Sequence, residues 1–155
     1  MKLFRVYADT SVFGGCFDDE FARESKLFFA EVAASQFILV ISTTTLTELQ
    51  RAPQRVRKVL ANLPPQKVEI VEFSDEIASL RDAYLQAGIL GPDAKADAEH
   101  IASASIAEVD IVVSWNFKHI VHFEKISGFQ AVNLMKGYNQ IRIYSPREVV
   151  NYDEE

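Results

Sequence analysis

The chain has 155 residues, the length of one ordinary globular domain, and we expect residues 1–155 to form a single domain. Hydrophobic residues make up 48% of the sequence and charged residues 25%, which excludes a disordered, collagen-like or low-complexity chain. The longest apolar run has five residues, far below the roughly 20 that a transmembrane helix needs. Because the sequence also starts without a signal-peptide core, we expect a cytoplasmic protein with no membrane contact.

The net charge is −6, from 16 Lys and Arg against 22 Asp and Glu, so the chain as a whole repels nucleic acid. The charges are unevenly spread, because no acidic residue lies between Glu48 and Glu69. That stretch carries five basic residues: Arg51, Arg55, Arg57, Lys58 and Lys67. It is either the solvated face of a helix or a local surface for a polyanion.

Five apolar segments of strand length occur along the chain, most of them too continuously hydrophobic to leave one face in water. They span residues 3–8, 37–41, 68–73, 110–115 and 141–144. Helical periodicity is found at residues 18–35, 45–62 with a break at Pro53, 74–87, 93–109 and 117–138. This alternation predicts an α/β fold, a three-layer α/β/α sandwich whose central sheet has about five mostly parallel strands.

Four polar residues follow predicted strands or lie early in predicted helices, at the sheet edge where open α/β sheets bind ligands. They are Asp9, Glu48, Asp97 and Asn116. Two carboxylates about 5 Å apart repel by about 3 kcal/mol at an effective dielectric of about 20, so a cluster stays partly protonated or recruits a cation. Oxygen ligands select Mg²⁺ or Mn²⁺, and the single Cys16 fits no zinc pattern. The pattern therefore indicates phosphate or phosphodiester chemistry.

Each of the four residues also has a structural interpretation. Asp9 and Asn116 are typical N-cap residues, and Glu48 completes a capping-box pattern that begins at Thr45. Asp97 lies on the face that its helix is expected to turn inward, where an unpaired charge is costly and needs a partner or a metal. These interpretations treat the residues one at a time, whereas a shared site explains why all four lie at one edge of the sheet.

Two histidines, His119 and His122, are three residues apart, a spacing that suits a metal site. No third ligand is evident beside them. We therefore interpret them as surface histidines.

Four short motifs resemble those of PIN-domain proteins, in the same order and at similar spacing over nearly the whole chain. They span residues 7–13, 47–49, 95–104 and 113–117. The resemblance is closest to VapC-like toxins of prokaryotic type II toxin–antitoxin systems. In that family, small metal-dependent ribonucleases are neutralised by an antitoxin peptide, so the resemblance implies a PIN-like fold and this activity.

Carried over to these positions, the resemblance implies that Asp9, Glu48 and Asp97 hold one or two Mg²⁺ or Mn²⁺ ions, which activate water for attack on RNA phosphate. Asn116 stands where many family members carry an aspartate, and its amide oxygen brings no charge to a second ion. Two hydroxyl residues flank the site and are expected to orient Asp9 or phosphate: Thr10 and Ser11.

The partners that the resemblance implies are RNA and an antitoxin protein, while the sequence leaves a homodimer open. Four basic residues are candidates for contacts with the RNA backbone: Arg51, Arg55, Arg57 and Lys58. The alternative from another functional class is a catalytically weak PIN-like module that binds RNA or protein without cutting. A Mg²⁺-dependent phosphatase ranks third.

Overall fold

A computed structural model describes residues 3–152, which form a five-stranded sheet covered by helices. The strands are β1 (Phe4–Ala8), β2 (Phe37–Ser42), β3 (Val68–Val71), β4 (Ile111–Val113) and β5 (Ile143–Tyr144). All of them are parallel, in the order β3-β2-β1-β4-β5. The predicted α/β fold with a parallel sheet of about five strands is therefore confirmed.

Eight helices lie in the described part of the chain. They are α1 (Thr10–Gly15), α2 (Ala22–Ala33), α3 (Thr43–Gln50), α4 (Gln54–Ala61), α5 (Asp75–Gln86), α6 (Lys95–Ile106), α7 (Phe123–Lys136) and α8 (Pro146–Val149). Short 3-10 turns at Pro65–Lys67 and Pro92–Ala94 precede β3 and α6. None of the helices within residues 3–152 is both long and apolar enough to span a bilayer.

Side chains of the strands alternate between two helical layers because successive residues of a strand point to opposite faces. Val6 and Ala8 pack with residues of α1, α2, α4 and α8, whereas Tyr7 packs with residues of α5, α6 and α7. All three side chains are fully buried. Burial on both faces explains why β2, β4 and the second half of β1 read as continuous apolar runs.

Helix α3 begins two residues before the predicted start, because Ser42 is its N-cap. The Ser42 hydroxyl accepts from the Thr45 backbone N–H, and the Thr45 hydroxyl accepts from the Ser42 backbone N–H. These two bonds form the capping box of α3. The interpretation of Glu48 as the capping-box partner of Thr45 is therefore wrong, and its carboxylate is free for other contacts.

Other helix boundaries also differ from the sequence predictions. A short helix, α1, directly follows Asp9, in a segment that the periodicity did not mark as helical. Helix α7 begins at Phe123 instead of residue 117, since the Asn116 carbonyl accepts from the backbone N–H groups of Ile120 and Val121 in a turn. The extended backbone of His122 then ends this turn and supplies the N-cap of α7.

The strand order places β1 at the centre of the sheet, between β2 and β4, so the chain changes its direction of strand addition there. Ligand sites in open α/β sheets lie beyond the strand ends at such a switch point. Ala8 pairs with Val113, which brings the next residues, Asp9 and Ser114, side by side. The topology therefore determines which side chains meet at this edge.

Gly15 of α1 lets this helix pack closely against the segment after β4. A Cβ atom at Gly15 would lie 2.7 Å from Nε1 of Trp115 and would also clash with the Ser25 hydroxyl. We expect Gly15→Ala to destabilise the fold by about 1–3 kcal/mol, the usual cost of overpacking. Thermal unfolding measures this, at about 2–4 °C per kcal/mol.

The matched control is Gly14→Ala, because nothing lies within 4 Å of a Cβ atom at the neighbouring glycine. This control should keep or slightly raise the melting temperature, since alanine stabilises a helix more than glycine does. Equal melting temperatures for the two variants would contradict the close packing at Gly15.

Candidate functional site

Asp9 lies at the end of β1 and at the N-cap position of α1, but its carboxylate makes no capping bond. The Ser11 hydroxyl donates to Oδ1 at 2.6 Å, and the Ser114 hydroxyl donates to Oδ2 at 3.0 Å. The residue is 4% exposed, and no Lys, Arg or His within residues 3–152 forms an ion pair with it. The N-cap interpretation is therefore correct for the position of Asp9 and wrong for its side chain.

Burial raises the pKa of Asp9 above its ordinary value, and the negative charge of Asp97 acts in the same direction. The charge of His100 and the two serine hydrogen bonds oppose this rise without cancelling it. The surroundings of Asp9 thus disfavour its charged form. A bound cation would reverse this preference.

Glu48 extends from α3 toward the same edge of the sheet. The hydroxyl of Thr10 donates to Glu48 Oε1 at 2.6 Å, and Nε2 of His100 donates to the same oxygen at 2.6 Å. Burial alone would raise the pKa of Glu48, but His100, Thr10 and the charge of Arg51 together lower it. Glu48 is therefore held as a carboxylate, and Oε2 accepts no hydrogen bond from the described residues.

His100 is 1% exposed and lies on α6 between Glu48 and Tyr7. Its Nδ1 atom is 2.7 Å from the Tyr7 hydroxyl, which is 2.7 Å from the Ser42 hydroxyl. Burial would lower the pKa of His100, but Tyr7, Glu48 and Asp9 raise it well above its ordinary value. A hydrogen-bonded chain thus runs from β1 and the start of α3 to the Glu48 carboxylate.

Asp97 lies in the first turn of α6, where Nδ1 of His119 donates to its Oδ2 atom at 2.8 Å. Both side chains are partly exposed, at 22% for Asp97 and 26% for His119. His122 is exposed and caps α7 through Nδ1, which accepts from the Glu124 backbone N–H. The interpretation as a surface residue is therefore correct for His122, whereas His119 is partly exposed and also contacts Asp97.

Asn116 follows β4 and caps the turn after it. Its Oδ1 atom accepts from the His119 backbone N–H at 2.9 Å, and its own backbone N–H donates to the Ser114 hydroxyl at 2.9 Å. Within the described chain, its amide group makes no hydrogen bond to any of the three carboxylates. The capping interpretation holds for a turn instead of a helix, and Asn116 adjoins the site through Ser114.

The three carboxylates share one edge but are not assembled around one point. In the described range 3–152, no group of three or more His, Cys, Asp or Glu side chains is arranged to hold a metal ion. The donor set nevertheless fits Mg²⁺ or Mn²⁺, since it consists of carboxylate oxygens and hydroxyls. Asp9 lacks an ion pair, and Glu48 and Asp97 each keep one oxygen free of hydrogen bonds from the described residues.

The basic residues lie at different distances from this site. Arg51 ends α3, and its charge helps to lower the pKa of Glu48, so it borders the carboxylates. Three further basic residues are exposed on α4: Arg55, Arg57 and Lys58. The Arg55 guanidinium lies 5.1 Å from the centroid of the Phe17 ring, a cation–π contact with the segment that follows α1. We refer to Arg51 and these three residues of α4 together as the basic surface; of the four, Arg51 adjoins the carboxylates.

Four side chains of this site were not singled out as functional by the sequence: Tyr7, His100, Ser114 and His119. His100 follows Asp97 by three residues, which is one helical turn, and this spacing is the signal that could have identified it. Ser114 directly precedes Trp115 and Asn116 after a strand, in the motif that contains Asn116. Tyr7 has no such signal, because a buried aromatic residue in a strand is ordinary core.

The burial of the Asp9 carboxylate leads to a prediction about how the stability of the protein depends on pH. Because the pKa of Asp9 is raised in the fold, its contribution to stability is complete below about pH 4 and is lost as the pH rises through the folded-state pKa. In chelator, Asp9→Asn should therefore melt at or above the wild-type temperature at pH 8. This advantage should shrink toward pH 4, and thermal unfolding across this range measures it.

The Glu72→Gln variant reports the effect of losing one charge alone, because Glu72 is exposed, lies outside the helices and makes no hydrogen bond or ion pair within residues 3–152. A loss of about 0.5–1.5 kcal/mol in Asp9→Asn at every pH would contradict the account, because it would show an ordinary stabilising hydrogen bond.

Comparisons with known proteins concern the fold. No protein-family model and no curated protein sequence matches the chain. Among solved structures, it is similar to a chain of VapBC2 from Rickettsia felis bound to a DNA fragment from their promoter, with a TM-score of 0.56, 18% identity, and coverage of 92% of this chain and 98% of that chain. It also matches tyrosyl-tRNA synthetase from Aeropyrum pernix, with a TM-score of 0.47, 10% identity, and coverage of 93% and 52%. The VapBC2 likeness shows a shared fold and supports the PIN-like architecture.

Proposed function

We propose that the chain is a Mg²⁺- or Mn²⁺-dependent endoribonuclease and the toxin of a toxin–antitoxin pair. The observation that carries the proposal is the buried Asp9 carboxylate, which forms no ion pair within residues 3–152 and shares a sheet edge with Glu48 and Asp97. The PIN-like motifs supply the RNA substrate class. The fold shared with VapBC2 over nearly the full length supports the toxin assignment.

Asp9, Glu48 and Asp97 are the residues that would hold the ion. When bound, Mg²⁺ or Mn²⁺ supplies a Lewis acid that polarises the phosphate and lowers the pKa of a water for attack on phosphorus. A divalent cation also removes the mutual repulsion of Asp9 and Asp97. Cleavage of the phosphodiester bond by water leaves one hydroxyl end and one phosphate end.

The remaining residues position these carboxylates and the substrate. Ser11 and Ser114 fix the two oxygens of Asp9, and the Ser11 hydroxyl also accepts from the Trp115 backbone N–H at 2.9 Å. The hydroxyl of Thr10 donates to Glu48, so we propose that Thr10 orients Glu48 instead of the phosphate. The basic surface formed by Arg51 and α4 would hold the RNA backbone, and its start beside Glu48 would lead the strand into the site.

A non-cutting module that binds RNA or protein is the second candidate, and one observation favours it. The carboxylates are not preassembled within residues 3–152, and Asn116 supplies a neutral group where an aspartate would add charge. This candidate shares the basic surface with the nuclease but predicts binding without cleavage. The two functions are therefore separated by measuring both activities on the same RNA.

Cleavage is the direct test of the nuclease proposal. A mixed pool of single-stranded and structured RNA should be cut in Mg²⁺ or Mn²⁺ and left intact in chelator, as analysed by gel electrophoresis. Asp9→Asn should lower the rate by at least about 100-fold, since one charged ligand is lost at the proposed metal site. The exposed Asp75→Asn variant should cut at the wild-type rate. RNA binding without cleavage by the wild type would favour the module.

The basic surface is tested by the salt dependence of RNA binding in chelator, where cleavage does not interfere. Each phosphate contact contributes a slope of about −0.7 for a single strand, so Arg55→Ala combined with Arg57→Ala should reduce the slope by about 1.4. The control pair, Lys136→Ala with Arg142→Ala, changes two exposed cations elsewhere and should keep the slope. An unchanged slope in the Arg55 and Arg57 double variant would remove these residues from the RNA surface.

The toxin assignment is tested in cells. Expression of the chain in a bacterial host should arrest growth, and the Asp9→Asn variant should relieve the arrest. Coexpression with a short open reading frame that adjoins the gene should restore growth and yield a stable complex. Normal growth of cells that contain the active enzyme would contradict the toxin assignment, while the proposed ribonuclease activity would stand.

A further inference from the structure

Two of the three carboxylates at the site are each held by a histidine. His100 Nε2 donates to Glu48 Oε1 at 2.6 Å, and His119 Nδ1 donates to Asp97 Oδ2 at 2.8 Å. In both pairs, the histidine occupies one oxygen of the carboxylate. Within residues 3–152, the second oxygen of each carboxylate accepts no hydrogen bond, so it remains available for another ligand.

Each histidine is itself fixed by a different part of the fold. The His100 ring is held on its other side by the Tyr7 hydroxyl at 2.7 Å and is 1% exposed, so its position follows from β1. The backbone of His119 is held by Asn116, whose Oδ1 atom accepts from the His119 N–H at 2.9 Å. The two histidines therefore tie α3 and α6 to the ends of β1 and β4.

A cation site with few ligands requires carboxylates that are already oriented toward the ion. Groups that hydrogen-bond to the free side of a metal ligand set its direction, and their loss commonly weakens metal affinity by about 10–100-fold. A carboxylate on a flexible side chain loses rotamer freedom when it binds an ion, and prior fixation removes part of this cost. The histidine contacts provide such fixation for Glu48 and Asp97.

We propose that His100 and His119 are positioning residues that orient Glu48 and Asp97 toward a divalent cation at the Asp9 edge. This inference rests on the proposed metal-dependent function and extends it to two residues. It assigns a role to two of the three histidines of the chain and none to His122, which is exposed and caps α7. Asn116 acts through His119 and is a positioning residue of the same kind.

The two histidines use different ring nitrogens, which permits a crossed test. The amide nitrogen of glutamine overlays Nε2 of histidine, and that of asparagine overlays Nδ1. His100→Gln therefore keeps the donor to Glu48, whereas His100→Asn loses it. At position 119 the order is reversed, so His119→Asn keeps the donor to Asp97 and His119→Gln loses it.

The readout is Mn²⁺ affinity of the full chain, measured by titration calorimetry without RNA, together with melting temperature in chelator. We expect His100→Asn and His119→Gln to weaken Mn²⁺ binding by about 10–100-fold. His100→Gln and His119→Asn should bind Mn²⁺ nearly as the wild type does. Both substitutions of His122 serve as controls and should leave the affinity unchanged. Because His119 is partly exposed, its two variants carry the test if a change at the buried His100 prevents folding.

Equal Mn²⁺ affinity for glutamine and asparagine at both positions would overturn the inference while wild-type Mn²⁺ binding still supports the proposed function. A wild type that binds no Mn²⁺ at its carboxylates would overturn both. A purely structural role predicts losses of melting temperature without the crossed pattern in affinity.

Discussion

The buried carboxylate of Asp9 is the constraint on which the arrangement of the site depends. It lies at the end of the central strand, where both neighbouring strands also end, and within residues 3–152 its oxygens accept hydrogen bonds from serine hydroxyls alone. An ionised carboxylate in such surroundings is unfavourable unless a positive charge approaches it. The described residues leave the Asp9 carboxylate without an ion pair, and the proposed cation site is argued from this observation.

The fold was largely predictable because its signals are local and repeated. All five strands coincide with apolar runs, and burial on both faces is the reason that β2 and β4 show no polar alternation. The errors occurred at helix starts, where single side chains decide. Ser42 and Thr45 form a capping box that moves α3 forward, and the turn after Asn116 delays α7 until Phe123. The start of a helix depends on which of several neighbouring polar side chains forms the capping hydrogen bond to a backbone N–H.

The presence of these polar side chains at one sheet edge was predictable, but their contacts were not. Asp9, Glu48, Asp97 and Asn116 follow from the rule that ligands bind beyond strand ends, and the PIN-like resemblance selects the same four positions. The rule says nothing about which donors fix these groups. His100 and His119 contact carboxylates that are 52 and 22 residues away in the chain, and Ser114 meets Asp9 across 105 residues. These pairings result from strand order and helix packing, which a one-dimensional pattern does not contain.

The central claim is that this sheet edge binds a divalent cation, and anomalous diffraction from crystals grown with Mn²⁺ tests it most directly. We expect an anomalous peak from a Mn²⁺ ion that is coordinated by Asp9 and by the free oxygen of Glu48 or Asp97. The peak should lie about 2.1 Å from the carboxylate oxygens. Crystals of Asp9→Asn under the same conditions should lack this peak. Wild-type crystals with Mn²⁺ present and no peak beside Asp9 would contradict the account.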